Sequence, residues 1–434
     1  MVDVIIVGAG YGGMSTAALL AHSGLSVLVI EKSSLIGGRA SSYRDDDGFT
    51  WEYGAHSLRL AHKGIAGEVF ARLDDEIKFL PRTNDAKLVF KNRLWPRPEG
   101  PLGFLKNPML SLKARLLLLL LMVRIKKADP QMWYDHTLLD FYRRFSSNAE
   151  LEAFLSFLGM TIMCPDPHKV SAGEVIAFLQ RVFKAGIGVG EPVGGSAQLF
   201  SKLRFHAETR GEVRVNETVT SILVEQDRAV GVLTDQSSYR AGWVVFAERL
   251  PLLFDVIEKD LFPQKFVSYC EAIEHSSSLV FDFITDYPIT DINGSLLGVD
   301  IPLWARFQSN TDPSFTPHGK HISTWGIMLP WGFDGDPEAI EQTEKRLKIT
   351  IATLFPHLLP NLVRERKLIV PVMNGNVLTP AQSKPHRPDV KCPFIKGLYF
   401  VGDTVAGDGC SGDISFSSAM KAADDILAEA GKSS

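Results

Sequence analysis

Three glycines near the start of the chain are spaced to hold a phosphate group. Gly8, Gly10 and Gly13 form a G-x-G-x-x-G motif directly after the β-branched run 4–7, which predicts a buried strand. The residues from 13 to 21 suit a helix. In such a turn the glycines permit a tight bend, close approach to a diphosphate and close packing of helix on strand. The diphosphate would lie at the helix N-terminus, where free N–H groups attract an anion.

An acidic residue follows at the distance that a dinucleotide-binding fold requires. Residues 25–30 predict a second strand, and Glu31 comes directly after it, about 20 residues beyond the glycines. A carboxylate there accepts hydrogen bonds from a ribose diol and disfavours the 2′-phosphate of NADP. The stretch therefore favours a bound adenine dinucleotide over a ligand-free turn. By itself it does not separate FAD from NAD.

A second glycine-rich element lies near the other end of the chain. Residues 398–401 have a buried-strand pattern that ends at Gly402-Asp403, and a glycine-rich loop then leads into a helix beginning near Gly412-Asp413. Free N–H groups at the start of that helix would face an electron-rich partner. Asp403 would accept hydrogen bonds from a polyol chain or, alternatively, cap a turn.

Two further segments place polar groups near the first motif. Gly38 and Arg39 belong to a GGR sequence shortly after the second predicted strand. The paired glycines indicate close backbone approach, so Arg39 would neutralise phosphate charge or pack on the adenine side rather than occupy a surface turn. Residues 49–53 predict a strand that ends in a tight bend at 54–56.

The middle of the chain alternates apolar and polar residues. From 211 to 247 the pattern predicts three strands with turns near 226–227 and 235–236, preceded by a Gly-Gly turn and a helix. The prediction is a β-meander.

Length and charge restrict the class of protein. At 434 residues, with 45% hydrophobic and 22% charged residues, the composition is that of a globular protein with two or more domains. A net charge of −4 gives no electrostatic reason to expect a nucleic-acid partner. The four scattered cysteines, without a C-x-x-C pair, favour neither a zinc site nor disulfides. With a strand predicted from residue 2, we expect no leader peptide and a cytoplasmic location.

One leucine-rich stretch allows two interpretations. Residues 116–123 are apolar and are flanked by lysines and arginines on both sides. The run is too short to cross a bilayer, which needs about 20 residues. We favour a buried core helix. The alternative is that the helix 111–127 rests on the inner face of a membrane or lines the mouth of an apolar tunnel.

The motifs divide the chain into two discontinuous domains. Residues 1–75, 191–250 and 385–434 are predicted to form a Rossmann-like α/β domain. Residues 76–190 and 251–384, which are rich in aromatic side chains suited to an apolar pocket, are predicted to form a mixed sheet-and-helix substrate domain.

In this order, GAGYGG, Glu31, GGR, ETVTSILVE and GLYFVGD, the motifs resemble the FAD-dependent amine oxidase and phytoene desaturase superfamily. The C-terminal form GDTVAGDGCSGD is most similar to the phytoene desaturase and carotenoid isomerase branch. The resemblance implies FAD as the cofactor. It places the backbone of Val219 at the adenine, Asp403 at the ribitol or phosphate oxygens, and the backbone near residues 412–414 at the pyrimidine edge of the flavin. The cofactor-binding residues that it implies are Gly8, Gly10, Tyr11, Gly12, Gly13, Glu31, Lys32, Gly38, Arg39, Gly54, Ala55, His56, Val219, Gly402, Asp403, Gly412, Asp413 and Ile414.

The resemblance also implies an activity. We expect hydride transfer between the flavin and an apolar isoprenoid or polyene substrate, by desaturation, saturation or redox-linked isomerisation. Oxygen, a quinone or a nicotinamide would exchange electrons with the flavin. His56 is the candidate general acid or base, with a purely structural histidine as the alternative. The competing functions are an amine oxidase that produces hydrogen peroxide and a non-catalytic protein that FAD stabilises.

Overall fold

The computed structural model describes residues 2–54, 57–83, 85–98, 103 and 105–432. Within these residues, two large mixed sheets form the framework, and helices cover both. This architecture confirms the predicted α/β class. The division into two discontinuous domains stays a prediction.

The first sheet has a parallel centre. Its strands are β1 Val2–Val7, β2 Val27–Ile30, β9 Gly211–Arg214, β10 Val219–Glu225, β11 Arg228–Thr234, β12 Ser238–Phe246 and β18 Leu398–Phe400. The order β18-β12-β1-β2-β9 is parallel throughout, and the antiparallel pair β10-β11 continues from the first half of β12. Val7 lies beside both Ile30 and Phe246, and Phe246 lies beside Phe400. The carboxyl ends of four strands therefore meet at one edge, where open α/β sheets bind ligands.

Three helices border that edge. α1 Tyr11–His22 packs against both α7 Ser196–Glu208 and α11 Gly412–Glu429. α1 is apolar almost all round and buried over residues 12–21, because it lies between the sheet and its neighbours. α2 Ile65–Arg72 packs on α11.

The second sheet consists of the strands β6 Lys87–Phe90, β7 Arg93–Pro96, β13 Ser276–Thr285, β14 Leu296–Gly298, β15 Leu303–Arg306, β16 His321–Met328 and β17 Arg364–Asn374, in the order β17-β13-β16-β15-β14-β6-β7. In this sheet all neighbouring strands are antiparallel except β14 and β6, which are parallel. Along β13, Leu279 and Phe281 face the side covered by α10 Pro337–Leu354, whereas Val280 faces the opposite side together with Trp304. That second face is available to form a cavity wall.

A helical group stands opposite that face. It consists of α3 Leu112–Lys127, α4 Leu138–Arg143, α5 Ala149–Met160 and α6 Ala172–Ala185, which share one apolar core. The remaining regular elements are β3 Ser42–Arg44, β4 Thr50–Glu52, β5 Leu58–Arg59, β8 Val189–Gly190, α8 Gln264–Glu271 and α9 Gln308–Thr311.

The structure corrects several predicted boundaries. β2 begins at Val27 and not at residue 25, because the Leu25 N–H bonds to Leu20 O and the Ser26 N–H to Asp3 Oδ2, which hold both residues in the preceding turn. The strand predicted over 49–53 is confined to β4, and the one predicted over 398–401 ends at Phe400. The pattern predicts three strands over residues 211–247, but the structure has four: β10, β11 and β12 form the meander, and β9 pairs with β2 in the parallel part of the sheet.

The interpretation of the apolar run 116–123 as a buried core helix is right for only one face of α3. In α3 one face is buried and the opposite face carries large apolar side chains that are at least half exposed, namely Leu112, Leu116, Leu120 and Val123. Among the described helices, none is long and apolar enough to cross a membrane.

Candidate cofactor site and adjoining cavity

The glycine motif forms the turn from β1 into α1. Gly8 has a φ of +101°, which a side chain would oppose, and a Cβ on Gly13 would lie 2.0 Å from Gly8 O. A Cβ on Gly10 would meet nothing within 4 Å. The N-terminus of α1 has no side-chain cap, so its first N–H groups point to open space. The turn is therefore closed on the protein side and open on the side where a diphosphate would lie.

Glu31 holds this turn from the end of β2. One carboxylate oxygen accepts a hydrogen bond from the Ala9 N–H at 2.9 Å, and the other accepts from the N–H and hydroxyl of Ser33, both at 2.9 Å. Glu31 is 4% exposed and lines the cavity. These bonds use both lone pairs of Oε1 and one of Oε2, so the remaining lone pair of Oε2 lets Glu31 fix the loop and accept a ribose hydroxyl as well.

Arg39 and Asp403 meet across the cavity. The guanidinium donates to both carboxylate oxygens, at 2.7 and 2.8 Å, and Gly375 N–H donates to Asp403 Oδ2 at 2.8 Å. Burial acts to raise the pKa of Asp403, but the attraction of Arg39 and the Gly375 hydrogen bond outweigh it and lower that pKa below its ordinary value. The Asp403 carboxylate is therefore charged and fixed in place.

Two charged residues follow β12 at the same edge. Glu248 and Arg249 both line the cavity, and Lys32 Nζ lies 3.7 Å from Glu248 Oε1. Burial raises the pKa of Glu248, and burial together with repulsion from Arg39 lowers the pKa of Arg249. Arg39 and Arg249 thus form a guanidinium pair beside the glycine turn, which suits a diphosphate.

The N-terminus of α11 borders the cavity as well. Ser411 has a φ of 52°, an unfavourable value for a residue with a side chain, and its buried hydroxyl has no hydrogen-bond partner among the described residues. Asp413, in the first turn, is 6% exposed and lines the cavity. Strain and an unsatisfied buried hydroxyl in one residue mark a place where a ligand completes the structure.

Beyond α11 the cavity continues into an apolar chamber. The whole cavity encloses about 690 Å³. We call "the chamber" the part that lies between α5 and α6 on one side and the second sheet on the other. Its wall residues include Met160, Phe178, Leu179, Val280, Trp304 and Val370. Among the described residues, the carboxylate nearest this wall is that of Asp413, where the chamber meets the rest of the cavity.

The chamber's arginines are engaged with neighbouring groups. Arg306 Nη2 lies 2.6 Å from Glu191 Oε2, and the other oxygen of Glu191 accepts a hydrogen bond from the Ser57 hydroxyl at 2.6 Å. Arg59 lies over the Phe178 ring at 5.8 Å. Arg306 therefore belongs to a buried polar network and not to an unoccupied anion site.

The structure brings most of the predicted cofactor residues to one cavity. Those that line it are Gly10, Tyr11, Gly12, Glu31, Lys32, Gly38, Arg39, Gly54, Gly402, Asp403, Gly412 and Asp413. Gly8 and Gly13 shape the turn from behind. Val219 and Ile414 do not line the cavity: Val219 is buried in the core of the first sheet, and Ile414 in the core of the helical group. Ala55 and His56 lie outside the described residues.

Sequence reasoning missed part of the site. Glu248 and Arg249 were not among the predicted residues, although two charges at the end of a buried strand are an unusual signal. Ser411 and the chamber wall were missed too, because nothing in the chain order indicates that α5, α6 and β13 face one another.

The residues present fit FAD. The open N-terminus of α1 and the Arg39–Arg249 pair suit its diphosphate, Glu31 suits its ribose, and the unpartnered Ser411 hydroxyl suits a polar ring edge. One continuous cavity connects these groups to the chamber. The cavity can therefore hold an extended dinucleotide with one end against an apolar compartment.

The family model for flavin containing amine oxidoreductases matches residues 11–427, and the chain belongs to this family. The match confirms FAD as the cofactor and identifies the protein as a flavin-dependent oxidoreductase.

Individual relatives are distant but extend over nearly the whole chain. The 15-cis-phytoene desaturase of Solanum lycopersicum is 22% identical over 92% of this chain and 73% of its own. The L-amino-acid oxidase of Crotalus adamanteus is 24% identical over 98% of this chain and 86% of its own. A solved oxidoreductase from Methanosarcina mazei superposes with a TM-score of 0.79 at 20% identity, covering 96% of this chain and 99% of its own. The last comparison supports the fold.

Proposed function

We propose that this oxidoreductase transfers hydride between its flavin and an apolar substrate of the isoprenoid or polyene class. The main support is the chamber, whose walls are formed mostly by aliphatic, aromatic and thioether side chains from α5, α6 and the second sheet. Bound FAD supplies the hydride chemistry, and the chain supplies a dry, apolar site beside it. Similarity to a phytoene desaturase supports the same choice.

The chamber is less suited to an amine or amino acid. An ammonium group needs a carboxylate or an aromatic cage, and among the described residues the carboxylate that borders the chamber, Asp413, stands at the end nearest the dinucleotide part and is already attracted by Arg59 and Arg181. A substrate carboxylate would need an available guanidinium, but Glu191 already neutralises Arg306, and Arg59 lies over the Phe178 ring. Binding such a substrate would therefore compete with these existing contacts. The similarity to an L-amino-acid oxidase makes this alternative the one to test against.

Product analysis separates the alternatives. The holoprotein would be incubated with an acyclic polyene, with a saturated isoprenoid and with a panel of primary amines and L-amino acids, and the products analysed by chromatography and mass spectrometry. We expect polyene or isoprenoid products that differ from substrate by two hydrogens, or an isomer formed only when the flavin is reduced. Turnover of amines with release of hydrogen peroxide, and of no apolar compound, would contradict the proposal.

We further propose that α3 rests on the cytoplasmic face of an anionic membrane. Its exposed apolar face, Leu112, Leu116, Leu120 and Val123, repeats at helical spacing. The helix contains no acidic residue and five cationic ones, Lys113, Arg115, Arg124, Lys126 and Lys127, which attract anionic headgroups. α3 packs on α6, which supplies part of the chamber wall, so an apolar substrate would have a short path from lipid. The four buried free thiols suit a reducing compartment.

Vesicle sedimentation tests this location. We expect binding to vesicles of phosphatidylcholine with one third phosphatidylglycerol, and weaker binding to phosphatidylcholine alone. Leu116→Asp should reduce binding at least tenfold. The matched control is Phe205→Asp, at a residue that is 70% exposed on α7 and away from α3. Equal binding by both variants would contradict the membrane contact.

A further inference from the structure

A buried acid stands where the two parts of the cavity meet. Asp413 follows Gly412, and a Cβ on Gly412 would lie 3.3 Å from the Tyr11 ring, which belongs to the glycine turn. On the chamber side, the charge of Asp413 is attracted by Arg59 from β5 and Arg181 from α6. Asp413 thus borders both the dinucleotide part of the cavity and the chamber.

The order of groups along the cavity decides which part of FAD reaches this point. The glycine turn and Glu31 fit the diphosphate and ribose, and a substrate would lie in the chamber. A flavin ring that exchanges hydride with that substrate must lie between the two, beside the start of α11. The buried hydroxyl of Ser411, which lines the cavity two residues before Asp413, has no hydrogen-bond partner among the described residues and indicates that a polar ligand completes this region.

An acid is an unexpected neighbour for this ring. Flavin that accepts a hydride gains one negative charge, and the partial positive charge of the α11 N-terminus stabilises that charge. A carboxylate in the same turn opposes it. The opposition disappears when the carboxyl is protonated, because the neutral form repels nothing.

We propose that Asp413 is a redox-tuning residue that takes up one proton from solvent when the flavin accepts a hydride. The hydride brings two electrons and one proton to the flavin, and a second proton from solvent adds to the Asp413 carboxylate. The net charge of the site is then the same before and after reduction. This inference depends on the flavin and not on the identity of the substrate.

The groups around Asp413 set the pH range in which it takes up this proton. Burial raises the pKa of Asp413 to about 6, and Glu68 on α2 raises it as well, whereas Arg59, Arg181 and the Cys410 N–H act to lower it. In the protein without flavin the carboxyl is therefore mostly protonated at pH 5 and ionised at pH 8. The negative charge of the reduced flavin moves this pKa upward. Proton uptake on reduction is thus expected above pH 6 and not at pH 5.

The potential of the bound flavin reports this uptake directly. It would be measured by equilibration with reference dyes from pH 5 to pH 8, for the wild-type holoprotein and for Asp413→Asn. Above pH 6 we expect the wild-type reduction equilibrium to fall by an additional factor of ten per pH unit, about 30 mV for a two-electron couple. The variant should lack the additional slope, coincide with wild type at pH 5 and have the higher potential at pH 8.

Two further variants keep the test decisive. Asp408→Asn changes an exposed acid in the same loop and should keep the wild-type slope. If Asp413→Asn does not retain FAD, Arg59→Met is used. Loss of this cation should raise the pKa of Asp413, so the pH at which the slope of the potential changes should be higher than in wild type. The proposal would be overturned if the slope of potential against pH did not increase above pH 6 in wild type, or if this slope were equal in wild type and Asp413→Asn.

Discussion

Arg39 and Asp403 form a two-pronged ion pair, at 2.7 and 2.8 Å, between residues 364 positions apart in the chain. The pair joins the segment after β2 to the segment after β18. Residues from near both ends of the chain are therefore held together at the dinucleotide part of the cavity. Asp403 is also bonded by the Gly375 N–H, which ties β17 of the second sheet to the same carboxylate. One acid therefore connects both sheets at the site.

Loss of this acid should destabilise the protein without cofactor. We expect Asp403→Asn to lower the free energy of unfolding by about 2 kcal/mol, since a buried carboxylate that accepts two charge-assisted hydrogen bonds from the half-buried Arg39 is lost. Asp424→Asn is the control, because it removes the exposed Arg72–Asp424 pair of the same 2.7 Å length. The control should cost at most about 0.5 kcal/mol. Urea unfolding followed by circular dichroism measures both. Equal losses would show that burial of the Arg39–Asp403 pair is unimportant.

The same pair predicts a dependence of stability on pH. The pKa of Asp403 is lowered in the folded protein, so its stabilising effect is complete above the unfolded value of about 4. The effect is lost progressively as pH falls below that value through the folded pKa. The difference in unfolding free energy between wild type and Asp403→Asn should thus be constant from pH 5 to 7 and shrink toward pH 3. A difference that grows on acidification would contradict the assignment.

Changing Gly13 or Gly10 to alanine should affect different properties of the protein, its stability in one case and its FAD affinity in the other. A Cβ at Gly13 would lie 2.0 Å from Gly8 O, so Gly13→Ala should destabilise even the cofactor-free protein, by about 1–3 kcal/mol. A Cβ at Gly10 enters open space, so Gly10→Ala should leave that stability unchanged. Its methyl group would occupy the diphosphate position and weaken FAD binding at least tenfold. Thermal unfolding and FAD titration separate the two effects. Normal FAD affinity in Gly10→Ala would place the diphosphate elsewhere.

The negative charge of Glu31, and not only its shape, should contribute to FAD binding. Glu31→Gln keeps the size but turns an NH2 group toward one of the N–H donors that now bond to the carboxylate. We expect FAD affinity to fall about tenfold, or about 1.4 kcal/mol. Glu212→Gln, at an exposed residue on the neighbouring strand β9, should leave the affinity unchanged. Quenching of FAD fluorescence on binding gives the dissociation constants of both variants. Unchanged affinity in Glu31→Gln would exclude a contact with the ribose.

Adjacent residues of β17 test the chamber. Val370 is 3% exposed and lines the chamber, whereas Ile369 is 44% exposed on the other face. Val370→Asp should retain the yellow flavin band but lose reaction with an apolar substrate at least a hundredfold, because a carboxylate in the chamber requires costly desolvation. Ile369→Asp should react normally. Equal rates would mean that the substrate binds outside the chamber.

The parts of the molecule that were predictable are those whose signals are local. A β-branched run, three glycines and an acid are close in sequence, so β1, α1, β2 and their ligand could be inferred together. The C-terminal strand and helix could be inferred for the same reason. Their mutual position could not, because it depends on the pairing of β12 with both β1 and β18.

Other features depend on tertiary contacts. The run of leucines in α3 has no polar face, so its sequence does not indicate which leucines pack on α6 and which face outward. The chamber wall comes from five elements that are distant in sequence. The backbone contact of Val219 with the adenine follows from the resemblance alone and stays a prediction, since the side chain of Val219 belongs to the core.

The most direct test of the proposed reaction is the flavin absorbance of the holoprotein on anaerobic mixing with an acyclic polyene, and separately with an amine panel. Our account predicts that the polyene or its more saturated isoprenoid counterpart bleaches the oxidised band in a single turnover, and that amines do not. Bleaching by an amine alone, with hydrogen peroxide formed on readmission of air, would contradict it.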